Sequence, residues 1–436
     1  MPVSHRSTPS RATFRRRRLG ALAVPVAVLA LAVSCGLGGG GSKGAPGGSN
    51  DAANDVVTPH DHGSGSVFPG VGDPVTGVPT KDANALPDLY AHTKAGMFSP
   101  AVSGDRSLVY VPNLRSNTVS VIDPKTYRVI DTIHVGAEPQ HVVPSWDLKT
   151  LYVNNNNGNS LTPIDPRSGK RGGPDIPVSD PYNLYFTPDG TYALVMAEAL
   201  RKIEFYDPHT WKLEHVLDLG AQCPGVNHAD FAPDGSYLIA TCEFGGKVVK
   251  VDLADRKVVG SLDLNLGDVP SAPQDIKIDP YGQVWYVADM NRNGLWELSG
   301  APLKLVGFLP TGPETHGLYP SRDGKYLYVA NRGGVLTSPT GYFPHAGEDG
   351  SVSVVDFRTR RVVANWKIPG GGTPDMGNVS ADGKTLWLSG RRDNVVYVFD
   401  TTTGALLHKI PVGIEPHGLA VWPLPGRYSL GHTGIL

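Results

Sequence analysis

The chain has 436 residues, with 39 Lys+Arg against 41 Asp+Glu and a formal charge of −2. The first 34 residues hold six arginines (Arg6, Arg11 and Arg15 to Arg18) and no acids, so cleavage before Cys35 would leave 436 − 34 = 402 residues with a charge of −2 − 6 = −8. A mildly acidic chain argues against nucleic-acid binding. The length is high for one ordinary domain, yet the internal repeats described below require no second one.

The N-terminus reads as an export signal. Arg15 to Arg18 precede the apolar run Leu19 to Val33, which is shorter than a membrane-spanning helix and suits a signal peptide over residues 1–34. The run ends in Ala32-Val33-Ser34-Cys35-Gly36, which resembles a bacterial lipobox, with Ala32 where Leu is usual. Cys35 is then the lipidated mature N-terminus, and the membrane is a partner through that anchor. The arginine cluster also permits twin-arginine export. Residues 35–86 are rich in Gly, Pro, Ser, Asp and Thr and read as a flexible tether to a domain over 87–436. His60 and His62 fall within that tether. The protein is thus expected on the outer face of a cell membrane.

From residue 88 onward one pattern recurs. Val109-Tyr110-Val111-Pro112-Asn113, Leu151-Tyr152-Val153-Asn154-Asn155 and Leu327-Tyr328-Val329-Ala330-Asn331 are its clearest copies. Weaker ones centre on Leu194, Ile239, Tyr286 and Trp387, and the seven central residues are spaced by 42, 42, 45, 47, 42 and 59. A period of that size marks stacked supersecondary units. Each copy follows a turn such as Pro188-Asp189-Gly190, Pro233-Asp234-Gly235, Asp323-Gly324 or Asp382-Gly383, where Asp and Gly favour a tight β-turn. Each is followed by an alternating strand ending in Asp, such as Thr118 to Asp123 or Val395 to Asp400, and then by a fourth strand such as Arg128 to Ile133. The terminal Asp of the third strand should hydrogen-bond its own turn. Four short antiparallel strands repeated radially make an all-β fold, a β-propeller.

These motifs resemble the YVTN-type β-propeller repeat family over roughly residues 88–431. The resemblance implies a fold rather than an activity, because such propellers serve as binding platforms, surface proteins and cofactor holders. Seven full four-stranded blades are expected. The first unit starts at Phe98, His417 to Val421 reads as one further inner strand, and Asp88 to Ala91 as a stray outer strand. The termini therefore form a closing blade, with an incomplete eighth as the alternative count.

The repeat register gives one position per unit at the entry of the inner strand: Phe98, Gln140, Tyr182, Asn227, Gln274, His316, Asp375 and His417. Inner strands line the channel, so this ring should sit at its mouth. His316, Asp375 and His417 fall in consecutive blades and are ligand types suited to iron, copper or zinc, which makes a metal ion at the mouth the candidate cofactor. The competing reading is a solvated polar funnel. Strand alternation should turn His141 and His228 away from the channel. The loops joining second and third strands open on the same face. They carry Arg115, Arg201, Arg292, Arg332, Arg391 and Arg392, and the longest includes Tyr342-Phe343-Pro344-His345. Arginines around a concave mouth suit an anionic small molecule, ordinary solvated loop charge being the alternative.

Cys223 and Cys242 lie in one unit and should meet at one blade edge, so a disulfide is expected in an oxidising compartment. A Gly-rich phosphate loop, a paired-histidine helix motif, a Gly-x-Ser-x-Gly elbow and a Cys-x-x-Cys-His haem site are absent from the sequence. Three functions follow. The first is a membrane-anchored module that binds an anionic small molecule or an envelope protein. The second is a metal- or cofactor-dependent oxidoreductase or lyase centred on the channel mouth, and the third a structural envelope protein.

Overall fold

The computed structural model describes residues 88–334 and 348–436. The export segment, Cys35, the tether with His60 and His62, and Tyr342 to His345 lie outside the described residues.

Alternating apolar residues separated by Asp-Gly and Asp-Thr turns produce seven antiparallel sheets, one per repeat. The second blade carries a fourth strand broken into Lys170–Arg171 and Ile176–Pro177. Turn chemistry follows the residues that specify it. Asp123 accepts a hydrogen bond from the backbone N–H of Lys125 at 2.9 Å, and Asp400 accepts from Thr402 and Thr403 at 2.9 and 2.7 Å. A buried asparagine that closes several second strands does similar work on the other side of the hairpin. Asn155 donates to Ser160 and Thr162, and Asn331 to Ser351 and Ser353, at 2.9–3.2 Å. The repeated Asn is therefore a staple between strands. A Cβ on Gly136 or Gly312 would collide with that same amide at 2.6–2.7 Å, so glycine is required where the incoming chain crosses it.

Closure between the chain's two ends gives seven blades, as the repeat predicts, and removes the alternative of an eighth. His417 to Val421 does not start an eighth blade. Ala420–Trp422 pairs with Leu108–Asn113 and becomes the inner strand of the first blade, ahead of Thr118–Asp123 and Arg128–His134. Leu419 and Val421 pack with Val109 and Val111 against Trp387, Val396 and Val398 of the seventh blade, which seals the ring with apolar contacts. Each such buried side chain stabilises by roughly 1.5–3 kcal/mol. Phe98 consequently leaves the ring position assigned to it. It is half exposed and bridges Gly426 instead. Asp88 to Ala91 forms a turn rather than a strand and lies on the face opposite the mouth, where Leu89 and Tyr90 bond the carbonyls of Pro280 and Ile278. Residues 423–436 cross the same face, with Leu430 joined to Phe186 and Ser429 to Trp146.

Cys223 and Cys242 are bonded, with Cα atoms 4.9 Å apart and both side chains fully buried in the fourth blade. The bond links the lead-in of the inner strand to the end of its neighbour. Because the bridged loop spans only 19 residues, replacing both cysteines with alanine should lower unfolding free energy by about 2–3 kcal/mol. Denaturant unfolding of the variant beside wild type checks this, and an unchanged midpoint would refute it.

Candidate functional site

The geometry of the site begins with an irregularity shared by every inner strand. In the second blade Pro139 pairs with Asn155 and Val142 with Val153, so Gln140 and His141 together oppose Asn154 alone. The fourth, fifth and seventh blades repeat the two-against-one arrangement at Asn227-His228, Gln274-Asp275 and Asp375-Met376. The third and sixth insert Tyr182 and His316. In the first blade His417, Gly418 and Leu419 face Val111 and Pro112 between paired positions. Such a β-bulge breaks strict alternation and bends the strand. Two successive side chains can then enter the channel, which corrects the expectation for His141 and His228.

Both histidines are fully buried, and the rings of the channel touch one another. Centroid separations are 4.7 Å for His141–His417, 6.0 Å for His417–His316, 6.3 Å for His316–His228 and 5.6 Å for His228–His141. Four imidazoles from the first, second, fourth and sixth blades thus form a closed quadrilateral. His432, on the segment that crosses the opposite face, adds a fifth ring 4.1 Å from His141. Gly418 makes room for this cluster, since a Cβ there would sit 1.9 Å from Nδ1 of His141.

Asp375 adjoins the histidines. His316, Asp375 and His417 are brought together as a group whose ligating atoms lie within 4.8 Å of one another. Nδ1 of His316 is 2.8 Å from Asp375 Oδ1, and Nε2 of His417 is 3.6 Å from Oδ2. Arg332 donates through Nε to Oδ1 at 2.8 Å, and Arg391 lies 3.7 Å from Oδ2. Burial alone would raise the Asp375 carboxyl, but Arg332, His316 and His417 outweigh it and hold the group well below the usual carboxylate range. The histidines shift the other way. Burial first, then Arg332, lowers His316 to about 4 despite its contact with Asp375. Burial first, then the crowding of the other imidazoles, holds His141 well below 6.5; burial with His316, His432 and Lys277 does so for His228, burial with Arg391 and Arg332 outweighs Asp375 for His417, and burial with Lys277 lowers His432 to about 3. All five are neutral at physiological pH.

Above this layer lies a cavity of about 330 Å³ lined by Gln140, Tyr182, Gln274, His316, Arg332, Arg391 and Arg392, together with Glu198, Glu243 and Phe244. Four of the ring residues and three of the six loop arginines therefore meet at the mouth. Asn227 sits deeper and donates to Glu243 at 2.8 Å. The other three arginines do not line the cavity. Arg115 is exposed and pairs with Glu415, Arg201 is exposed, and Arg292 bonds the carbonyl of Leu266 near Trp296. Glu198 and Glu243 escaped sequence reasoning because they occupy no ring position. Burial and Glu243 push Glu198 well above the carboxylate range, and burial raises Glu243 against the hydrogen bonds of Gln274 and Asn227. His432 escaped it because it belongs to no repeat.

The buried, neutral state of His432 has a measurable consequence. A histidine whose folded pKa is depressed contributes stability that is complete above its unfolded value of about 6.5 and is lost as pH falls. In chelator-treated protein, His432→Asn should therefore gain about 2 kcal/mol relative to wild type between about pH 7 and about pH 5. Denaturant titrations at several pH values test this, and a difference that stays constant with pH would refute it.

Comparison with known proteins agrees with the architecture. The family model described as YNCE-like beta-propeller matches residues 82–217. The uncharacterized protein YwhL of Bacillus subtilis (strain 168) is 25% identical over 356 residues, covering 79% of this chain and 71% of that protein. Among solved structures, hydrazine synthase of Kuenenia stuttgartiensis superposes with a TM-score of 0.56 at 20% identity, covering 76% of this chain and 99% of its own. A functionally unknown protein from Desulfotomaculum acetoxidans DSM 771 gives 0.58 at 16% identity, covering 72% and 99%. At such identities the likeness speaks for fold alone. The tandem repeat and the seven sheets make this chain a seven-bladed β-propeller, similar over residues 82–217 to the YNCE-like propellers.

Proposed function

We propose that the protein is a membrane-anchored extracytoplasmic propeller that binds an anionic small molecule in its funnel mouth. One observation carries the reading. Arg391 lines the cavity with its side chain one-fifth exposed, its Nε is buried without a hydrogen-bond partner, and its nearest carboxylate oxygen is 3.7 Å away. Neighbouring charges are better matched. Arg332 is bonded to Asp375, and Arg392 is 3.3 Å from Glu415. Glu198, whose carboxyl burial and Glu243 push upward, lines the same cavity. A carboxylate or phosphate entering the mouth would find unused guanidinium donors beside Tyr182, Gln140 and Gln274, which can fix its orientation.

Placement outside the cell rests on the sequence, on Arg15 to Arg18, the apolar run and Cys35. No helix among the described residues is long and apolar enough to cross a membrane; in this reading the anchor is the lipid on Cys35.

Thermal-shift titration with inorganic phosphate and with mono-, di- and tricarboxylates tests the binding role. At least one anion should raise the midpoint of wild type, since a ligand at about 100 times its Kd adds about 2.7 kcal/mol. Arg391→Ala should weaken that anion's binding about tenfold or more. No stabilisation by any of these anions, or an effect untouched by Arg391→Ala, would overturn the proposal.

The anchor has its own test. Cys35→Ser should shift the protein from the membrane fraction to the soluble extracytoplasmic fraction or stall it as precursor, as seen by fractionation and immunoblotting. Unaltered processing and membrane retention would refute lipidation.

A further inference from the structure

The buried layer beneath the mouth carries a second proposal, independent of the anion site above it. Its starting point is an unusual concentration of unused polar atoms. Both ring nitrogens of His141, His228 and His432 and the Nε2 of His417 are buried with no hydrogen-bond partner among the described residues. A buried polar atom left unpaired forfeits its hydrogen bonds to water, so a fold that gathers seven of them in one channel needs something to satisfy them.

The tautomers of two histidines show what that could be. His417 places Nδ1 3.2 Å from the carbonyl of Gln140, and His316 places Nδ1 2.8 Å from the Asp375 carboxylate. Each neutral ring therefore donates from Nδ1 and keeps a lone pair on Nε2. A carboxylate or carbonyl behind one nitrogen, leaving the other free, is how proteins orient imidazole toward a metal. Asp375 itself is already engaged by Arg332. It serves better as the group that orients His316 than as a direct ligand.

Spacing agrees with this reading. With metal–nitrogen bonds of about 2.0–2.1 Å and a ring centre roughly 1 Å beyond the nitrogen, tetrahedral imidazoles would have centroids roughly 5 Å apart. The quadrilateral of His141, His228, His316 and His417 has sides of 4.7 to 6.3 Å; His316 and His417 already bring ligand atoms within 4.8 Å of one another, and His141 and His228 would have to move inward, with the longest side shortening by more than about 1 Å, to complete a site. We propose that these four histidines bind one late first-row transition-metal ion, copper by preference, inside the propeller channel, with Asp375 and the Gln140 carbonyl as positioning groups. All-imidazole coordination favours copper and zinc over magnesium or calcium, and copper(II) leads the affinity order.

The test uses full-length protein carrying His60→Ala and His62→Ala in every arm, so that the tether histidines cannot contribute. After chelator treatment the protein is titrated with copper(II), and bound metal is measured by mass spectrometry and electron paramagnetic resonance. The expected result is one tightly held copper per chain with hyperfine structure from at least three nitrogens. His141→Asn and His417→Gln should each weaken binding about tenfold or more, with zinc competing for the same site. No stoichiometric copper, or a spectrum with fewer than three nitrogens, would overturn the proposal without any variant. Retention of wild-type affinity in both variants, each with an unchanged circular dichroism spectrum, would also overturn it and leave the channel as a water-filled funnel.

Discussion

The one extra residue at the entry of each inner strand is the constraint on which the rest of this molecule depends. A regular strand presents alternate side chains, and seven such strands would show a single ring of residues to the channel. The bulge lets two successive positions reach inward, so Gln140 and His141, Asn227 and His228, or Asp375 and Met376 build two layers rather than one. Polar and charged groups fill the upper layer, and imidazoles dominate the lower. The cost is an interrupted ladder at each bulge. It is offset locally, since Thr241 bonds both the Asn227 side chain and the His228 backbone in the fourth blade, and Ser389 accepts from the N–H and donates to the carbonyl of Met376 in the seventh.

Ring closure is the second dependency, and it couples fold to site. The strand that seals the propeller also carries His417 and Gly418, so a chain that failed to close would lose one imidazole and the gap into which His141 fits. Tail residues 423–436 extend the coupling. They cover the far end of the channel through bonds to Phe186, Trp146 and Met97, and they insert His432 against His141. Stability and site construction are therefore one problem at this end of the molecule, unlike the mouth, whose arginines stand on loops.

Much of the architecture was legible before any coordinates, because it rests on local chemistry repeated many times. The Tyr-Val-x-Asn runs, the Asp-Gly turns and the Asp that ends most third strands announce period, strand order and turns, and Asp123, Asn331 and Asp400 make the bonds that hold those turns and strands. Counting back along the register also put Gln140, Tyr182, Gln274, His316, Asp375 and His417 around one axis. What stayed hidden depends on departures from regularity. A bulge is not visible as a residue type, so alternation misplaced His141 and His228. Phe98 was given a ring position that His417 fills, because pairing between the chain's ends is a long-range choice that local pattern does not encode. Glu198, Glu243 and His432 lie off the repeat register altogether.

Asp375 joins the two layers electrostatically. Its carboxylate accepts from Arg332 at the mouth and from His316 in the channel, and Arg391 and His417 flank its second oxygen. A negative charge so deep is tolerated only because cations surround it. The converse holds for the arginines, since without Asp375 the mouth would hold like charges with little compensation. Arg332 saturates one oxygen at hydrogen-bonding distance, whereas the second oxygen has no hydrogen-bond partner and no cation closer than 3.7 Å. The anion layer and the imidazole layer are therefore not electrostatically separate. An anion that drew Arg391 toward itself would weaken its hold on the second oxygen and leave more of the Asp375 charge to the histidines, while a cation among the histidines would compete with Arg391 for that oxygen and release the arginine to the mouth. Occupancy of either layer should thus favour occupancy of the other, and by linkage any such coupling must be equal in both directions.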